Sequence, residues 1–133
     1  MRNRLQLTLI VLVLLLTSLA CGFNASTANI KDAYMSTDDA GSTKTTVFSQ
    51  DATFWAIVVL ANAPDDTSLK ASWYAVDAEN TAANTLIDEV STTSDDGTIP
   101  FSLVNDGIWP LGTYKVDLFL NDKLAKTLEF SVQ

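Results

Sequence analysis

Histidine is absent from this 133-residue chain and cysteine occurs once, at Cys21. The commonest general base and the commonest metal ligand are therefore both missing. A single cysteine excludes an internal disulfide and any zinc or iron–sulfur site built from several thiolates. Basic residues are also scarce, eight against 16 acidic ones, so the positive footprint that a nucleic-acid binder needs is lacking. The five glycines are scattered singly, which leaves no glycine-rich loop to cradle a phosphate. From Ile30 onward there is no helical period either. What remains is an apolar run near the start and a set of short β-type segments, in a length that fits one domain.

The N-terminus reads as an address. Arg2 and Arg4 precede an apolar stretch from Leu7 to Leu16, and small or mildly polar residues (Thr17, Ser18, Ala20) lead to Cys21. A charged start, a short apolar core and a small-residue exit is the layout of a secretory signal, and the run is too short for a spanning helix. Thr17-Ser18-Leu19-Ala20-Cys21 resembles the lipobox of bacterial lipoproteins, with Ser18 where the strictest form has Leu. The resemblance implies that residues 1–20 are removed and that the Cys21 thiol carries a diacylglycerol, each buried methylene adding about 0.8 kcal/mol to membrane attachment. Gly22 follows, and in lipoproteins of Gram-negative bacteria a residue other than Asp there permits export to the outer membrane. Removal of residues 1–20 takes away only Arg2 and Arg4, so eight basic residues fall to six against 16 acidic ones, a net charge of −10. Such a charge discourages the domain from lying flat on an anionic bilayer. Residues 21–29 are mostly small and polar and read as a lipid-anchored linker.

The body, residues 30–133, is expected to be all-β. Strand-like segments run over Ile30–Met35, Thr46–Phe48, Thr53–Ala61, Leu69–Val76, Thr85–Ser91, Thr98–Val104, Thr113–Leu120 and Leu124–Val132, separated by Asp/Asn/Gly/Pro clusters. Seven or eight short strands in about 100 residues predict an antiparallel two-sheet sandwich. Alternation assigns Leu69, Ala71, Trp73 and Ala75 to one inward face, and Tyr114, Val116, Leu118 and Leu120 to another, with Leu128, Phe130 and Val132 beside them. Thr53–Ala61 is apolar on both faces, which predicts a central strand whose outer side is covered. In the final hairpin, inward residues on both strands are even-numbered, so paired numbers should sum to an even value. That predicts a three-residue loop, Asn121-Asp122-Lys123, with a bulge.

Trp73 on the third long strand, and Gly112-Thr113-Tyr114-Lys115-Val116 at the start of the sixth, resemble the buried tryptophan and the tyrosine corner of immunoglobulin-like domains. Residues 30–133 are similar to the immunoglobulin-like domains of bacterial lipoproteins. Val116 stands where antibody domains have a cysteine, which fits the disulfide-free bacterial and fibronectin-like relatives. The resemblance implies that the Tyr114 hydroxyl bonds backbone around Trp109 to Leu111, while Trp109 plugs the end of the sandwich.

No catalytic constellation can be assembled. A serine or threonine nucleophile needs a base beside it, the six lysines after Arg4 fall on solvated faces or turns, and the adjacent pairs Asp88-Glu89 and Asp95-Asp96 point to opposite faces of a strand. The chain is therefore not expected to be an enzyme, and no cofactor is implied. Asp38, Asp39, Asp65, Asp66, Asp95, Asp96, Asp106 and Asp122 lie in turns and offer hard oxygens for calcium. Their spacing is not that of a calcium loop, and aspartate shapes turns through its own backbone, so no metal site is expected. Tyr74 and Phe119 alternate outward on neighbouring strands and are the candidate binding residues. The combined expectation is a lipid-anchored, extracytoplasmic, non-enzymatic module in the cell envelope, at the outer membrane or cell surface, binding another envelope or surface protein. The alternative is a carbohydrate-binding module that stacks sugars on its exposed aromatics.

Overall fold

The computed structural model describes residues 27–133. The expected signal peptide and the lipidation at Cys21 lie outside the described residues. Eight strands follow one another: β1 Asn29–Ser36, β2 Val47–Phe48, β3 Phe54–Ala61, β4 Thr67–Ala78, β5 Thr85–Ser94, β6 Gly97–Leu103, β7 Gly112–Leu120 and β8 Lys123–Val132. They form a three-stranded sheet in the order β1-β3-β6 and a five-stranded sheet in the order β2-β8-β7-β4-β5. Pairing is antiparallel throughout except between β2 and β8. No helix among the described residues is long and apolar enough to cross a membrane.

The core lies between the sheets, on the faces that alternation assigns. Phe54, Ala56, Val58 and Leu60 of β3 share one cluster with Leu69, Ala71, Trp73 and Ala75 of β4, Tyr114, Val116 and Leu118 of β7, and Phe130 and Val132 of β8. Burying each of the larger side chains contributes about 1.5–3 kcal/mol. Phe54 is the hub of the aromatic end of the core, stacked on Trp109 at 4.5 Å and meeting Phe48 and Phe130 edge-on at 5.0 and 4.8 Å. Trp109 also donates its indole N–H to the Ala52 carbonyl at 2.8 Å, closing that end of the sandwich. The outer side of β3 is covered by a loop: Gly41, at φ 69°, sits against the Tyr34 hydroxyl and Ile57, and Ile57 is fully buried.

The last hairpin differs from expectation. Asn121 and Asp122 both take positive φ, 48° and 66°, and form a two-residue turn that sets Leu120 opposite Lys123. Such a left-handed pair matches the natural twist of the flanking strands, and Asn and Asp tolerate it well. The even sum of paired numbers is restored by a bulge between Leu118 and Phe119, beyond which Val116 faces Leu128 and Tyr114 faces Phe130. The parity argument therefore holds for the body of the hairpin, but the odd residue is absorbed in the strand rather than in the loop. β5 also runs to Ser94, three residues past its expected end.

Candidate functional site

Tyr74 and Phe119 lie on the outer face of the five-stranded sheet, on adjacent strands, because the intervening inward positions are taken by Trp73 and Leu118. Tyr74 is opposite Lys115 and Phe119 is opposite Lys70, with the Ser72–Asp117 pair between them. The two aromatic levels are thus roughly 13 Å apart along the strands, at about 3.3 Å per residue. Neither ring is bare. The Lys115 ammonium sits 4.9 Å from the Tyr74 ring centre and Lys70 sits 4.4 Å from that of Phe119. Both rings are half-buried, and a cation over an aromatic face at such a site is worth about 0.5–1 kcal/mol.

Between the aromatics the face carries two sets of polar contacts. Asp117, buried despite its outward position, accepts a hydrogen bond from Thr127 Oγ1 at 2.7 Å and pairs with Lys115 Nζ at 3.3 Å. Ser72 donates its hydroxyl to Glu89 Oε2 at 2.8 Å. Hydroxyl–carboxylate pairs of this kind recur, Ser49 donating to Asp51 Oδ1 at 2.6 Å as well, but Ser72 is 1% exposed with no room for a substrate, and neither of these two pairs has a histidine or other further group to orient it. Sequence reasoning missed these contacts; their signal was the polar residue on every outward position of β4 and β7 between the two aromatics.

Two of the turn aspartates, Asp38 and Asp96, spend carboxylate oxygens on backbone amides. Asp38 accepts from the Ser42 and Thr43 amides at 2.9 and 3.0 Å, and these bonds, the one from Ser42 foremost, hold its carboxyl below the usual range. Asp96 accepts from the Ala63 amide at 2.6 Å, tying two loops together. The described residues contain no group of three or more His, Cys, Asp or Glu able to hold a metal ion.

The exposed large apolar side chains are all aliphatic, and three of them, Leu86, Ile87 and Val90, belong to β5. This strand is the outer edge of its sheet and overhangs the smaller one, so Val90 is 40% exposed although its partner Ala71 is fully buried. At the opposite side of the sandwich, β2 pairs only with Ser131 and Val132 of β8. A groove of about 530 Å³ opens there between β1 and β8, lined by Ala33, Met35 and Leu128 and by Lys126, Glu129 and Lys44, the last paired with Asp32 at 3.8 Å. Sequence patterning could not locate these edges, because alternation says which face a residue takes but not which strand is outermost.

No protein-family model matches the chain, and no curated protein matches it. Solved structures do. The chain is similar to an immunoglobulin-like protein from Pseudomonas aeruginosa, at 14% identity and a TM-score of 0.55, over 84% of this chain and all of that one. It is also similar to an alkylpurine DNA glycosylase from Pseudomonas fluorescens, solved bound to DNA containing an abasic-site analogue, at 12% identity and a TM-score of 0.52; the likeness covers 82% of this chain and 31% of the glycosylase. Likeness at such identities establishes the fold and nothing finer. The described domain is an immunoglobulin-like β-sandwich, all-β, with two sheets and eight strands. The tyrosine corner is in place, the Tyr114 hydroxyl donating to the Pro110 carbonyl at 2.6 Å.

Proposed function

We propose that this chain is a lipid-anchored, extracytoplasmic, non-enzymatic interaction or structural module, held in the cell envelope through Cys21 and engaging another protein. The observation that supports a protein partner over a sugar is the placement of apolar surface. Sugar stacking needs open aromatic faces, whereas Tyr74 and Phe119 are half-buried beneath lysines. Open aliphatic residues and unpaired strand edges are instead what a protein contact uses. The anchor rests on the lipobox-like segment ending at Cys21 and on the charge of the body, which disfavours direct adhesion to anionic lipid.

Labelling with a fatty-acid analogue tests the anchor: the wild-type chain should be marked and Cys21→Ser unmarked, since no other thiol exists. Equal labelling of both overturns it. Electrophoresis through polysaccharide gels tests the partner class, with unchanged mobility expected; a retardation that Tyr74→Ala abolishes would return the protein to the sugar-binding class.

A further inference from the structure

We propose that the open half of the β5 edge, Val90 to Ser94, takes an extended basic segment of another protein as an added strand, which rests on the reading of this chain as a protein-binding module. The Asn121 amide donates to the Ser68 carbonyl. The even-numbered residues at this end of β4 therefore turn their hydrogen-bonding groups toward β7, and Leu69 and Ala71 turn theirs toward β5. Their partners Thr92 and Val90 are thereby engaged. Ser91 and Thr93 lie in the alternate positions and point N–H and C=O off the sheet; the Thr93 carbonyl meets the Thr92 hydroxyl of its own strand, at 3.5 Å. Such a row is a template for strand addition.

Other edges are guarded. β6 carries Pro100, which has no N–H to offer. The end of β1 is crossed by Thr45, whose amide donates to the Met35 carbonyl. β8 is covered by β2 at Ser131 and Val132, and upstream it turns Lys126 inward, opposite buried Leu118, a charge that an approaching strand would have to bury. β5 is guarded over its first half. Ile87 is left out of the β4 register, and Asp88, inward opposite Trp73, caps the Glu89 amide through Oδ1 at 2.8 Å. From Val90 to Ser94 there is no proline, charge or bulge, and Val90 stands exposed beyond the smaller sheet.

Charge selects the occupant. Asp88 and Glu89 stand at one end of the open run and Asp95 and Asp96 at the other, all four exposed and none in an ion pair among the described residues. Asp96 and Glu89 each give one oxygen to the fold, to the Ala63 amide and the Ser72 hydroxyl, and neither bond neutralises the carboxylate. β5, β6 and the turn between them carry no lysine or arginine. The cation nearest by register, Lys70 opposite Ser91, lies over the Phe119 ring on the outer face. The same acids disfavour a second copy. Antiparallel self-pairing that matches Ser91 with Thr93 sets Glu89 against Asp95 and Asp88 against Asp96, like charges directly opposed. A segment with basic residues on both sides of a short uncharged stretch satisfies both ends. Glu89 and Asp95 are roughly 20 Å apart along the strand, so those basic residues should stand about six positions apart, with an aliphatic side chain between them to cover Val90.

The test is a peptide titration of the full chain, solubilised from its membranes in a neutral detergent and followed by amide NMR, with the mass of the Cys21 peptide read from the same sample. The probe is a synthetic peptide of two lysines, five alternating threonines and valines, and two more lysines. It should bind saturably, shift and protect the Ser91 and Thr93 amides, and weaken with salt. The same peptide with glutamate for lysine, or with its central amides N-methylated, should bind about tenfold more weakly or worse. Thr93→Pro removes an N–H that β4 does not use and should cost about tenfold. Asp95→Lys should cost about tenfold for the lysine peptide and improve binding of the glutamate peptide, which a folding defect could not do. No saturable binding at millimolar peptide, or shifts confined to the outer face or the β8 groove, overturns the proposal. Equal binding of the N-methylated peptide also overturns it, since a loose polycation contact then suffices. Peptide binding without an acyl group on Cys21 keeps the edge and removes the anchor; an acylated chain blind to the peptide does the reverse.

Discussion

Replacing Tyr114 with Phe removes one oxygen from the molecule and leaves the rest of the core untouched. The ring stays stacked on Phe130 at 5.7 Å and in contact with Phe54 and Trp109, so no cavity forms. What is lost is the 2.6 Å hydrogen bond to the Pro110 carbonyl. A net hydrogen bond contributes about 1 kcal/mol, and the loss approaches about 3 kcal/mol if the carbonyl is stranded from water. Pro110 is partly exposed, which places the expected cost near the lower figure, a fall in Tm of about 4–8 °C. Denaturant melts at pH 7 measure it directly. A second readout separates the corner from simple packing. Burial raises the Tyr114 pKa above its ordinary value, so the folded state holds that proton more tightly than the unfolded one. The associated stability is complete below the unfolded value of about 10 and is lost as pH rises toward the folded one. The gap between wild type and Tyr114→Phe should therefore shrink above about pH 10. Equal stability at pH 7, or a gap that widens with pH, would refute the reasoning, as would Tyr114→Phe costing as much as Tyr114→Ala.

Trp73→Ala should cost about 3–5 kcal/mol by emptying the centre of the core, and Tyr74→Ala, one residue along, below about 1 kcal/mol because it loses mainly its contact with Lys115; melts giving the reverse order would move the inward face by one residue. Gly112→Ala should cost at least about 2–3 kcal/mol, since φ is 149° and a Cβ would meet the Asp77 carbonyl oxygen and the Ala78 Cα. Asp38→Asn should lower the protection of the Ser42 and Thr43 amides against exchange, and in the wild type that protection, taken relative to the intrinsic exchange rate at each pH, should be lost as pH falls through the lowered Asp38 pKa, because a carboxyl held low stabilises above its ordinary range and loses that effect in acid. Millimolar calcium should leave Tm unchanged, whereas a site at 100 times its dissociation constant would add about 2.7 kcal/mol.

Much of the fold was legible because its determinants are local. Period-2 alternation along Leu69–Ala75 and Tyr114–Leu118 names the buried face without reference to any other strand, and every one of those inward residues is buried. The corner and the plug were legible for a different reason: Tyr114 and Trp109 are large amphipathic side chains of the kind whose polar atoms usually find partners when buried, and both find carbonyls. The turn at Asn121-Asp122 was misjudged because two local rules compete there. Parity favours an odd loop, turn chemistry favours two left-handed residues, and a bulge satisfies both. The Trp73 indole shows what patterning cannot convey. Its Nε1 is buried with no hydrogen-bond partner, so at this position the packing of the ring outweighs about 1–3 kcal/mol of desolvation.

The candidate surfaces were less legible, since they depend on how many strands each sheet has. Val90 is an inward residue by pairing, directly opposite buried Ala71. It is exposed because the opposing sheet has three strands against five, a property of no local window. Tyr74 and Phe119 show the converse. Alternation correctly sends them outward, but outward is not the same as open: the lysine across each strand pair reaches over the ring, and both lysines are visible in the sequence only once the β4–β7 register is known. Register and strand count are set by long-range pairing, so a residue's face can be read locally while its accessibility cannot. For a sandwich with no catalytic cluster among its described residues, accessibility is what separates one partner class from another, and it moves the weight of evidence from the aromatic face to the strand edges.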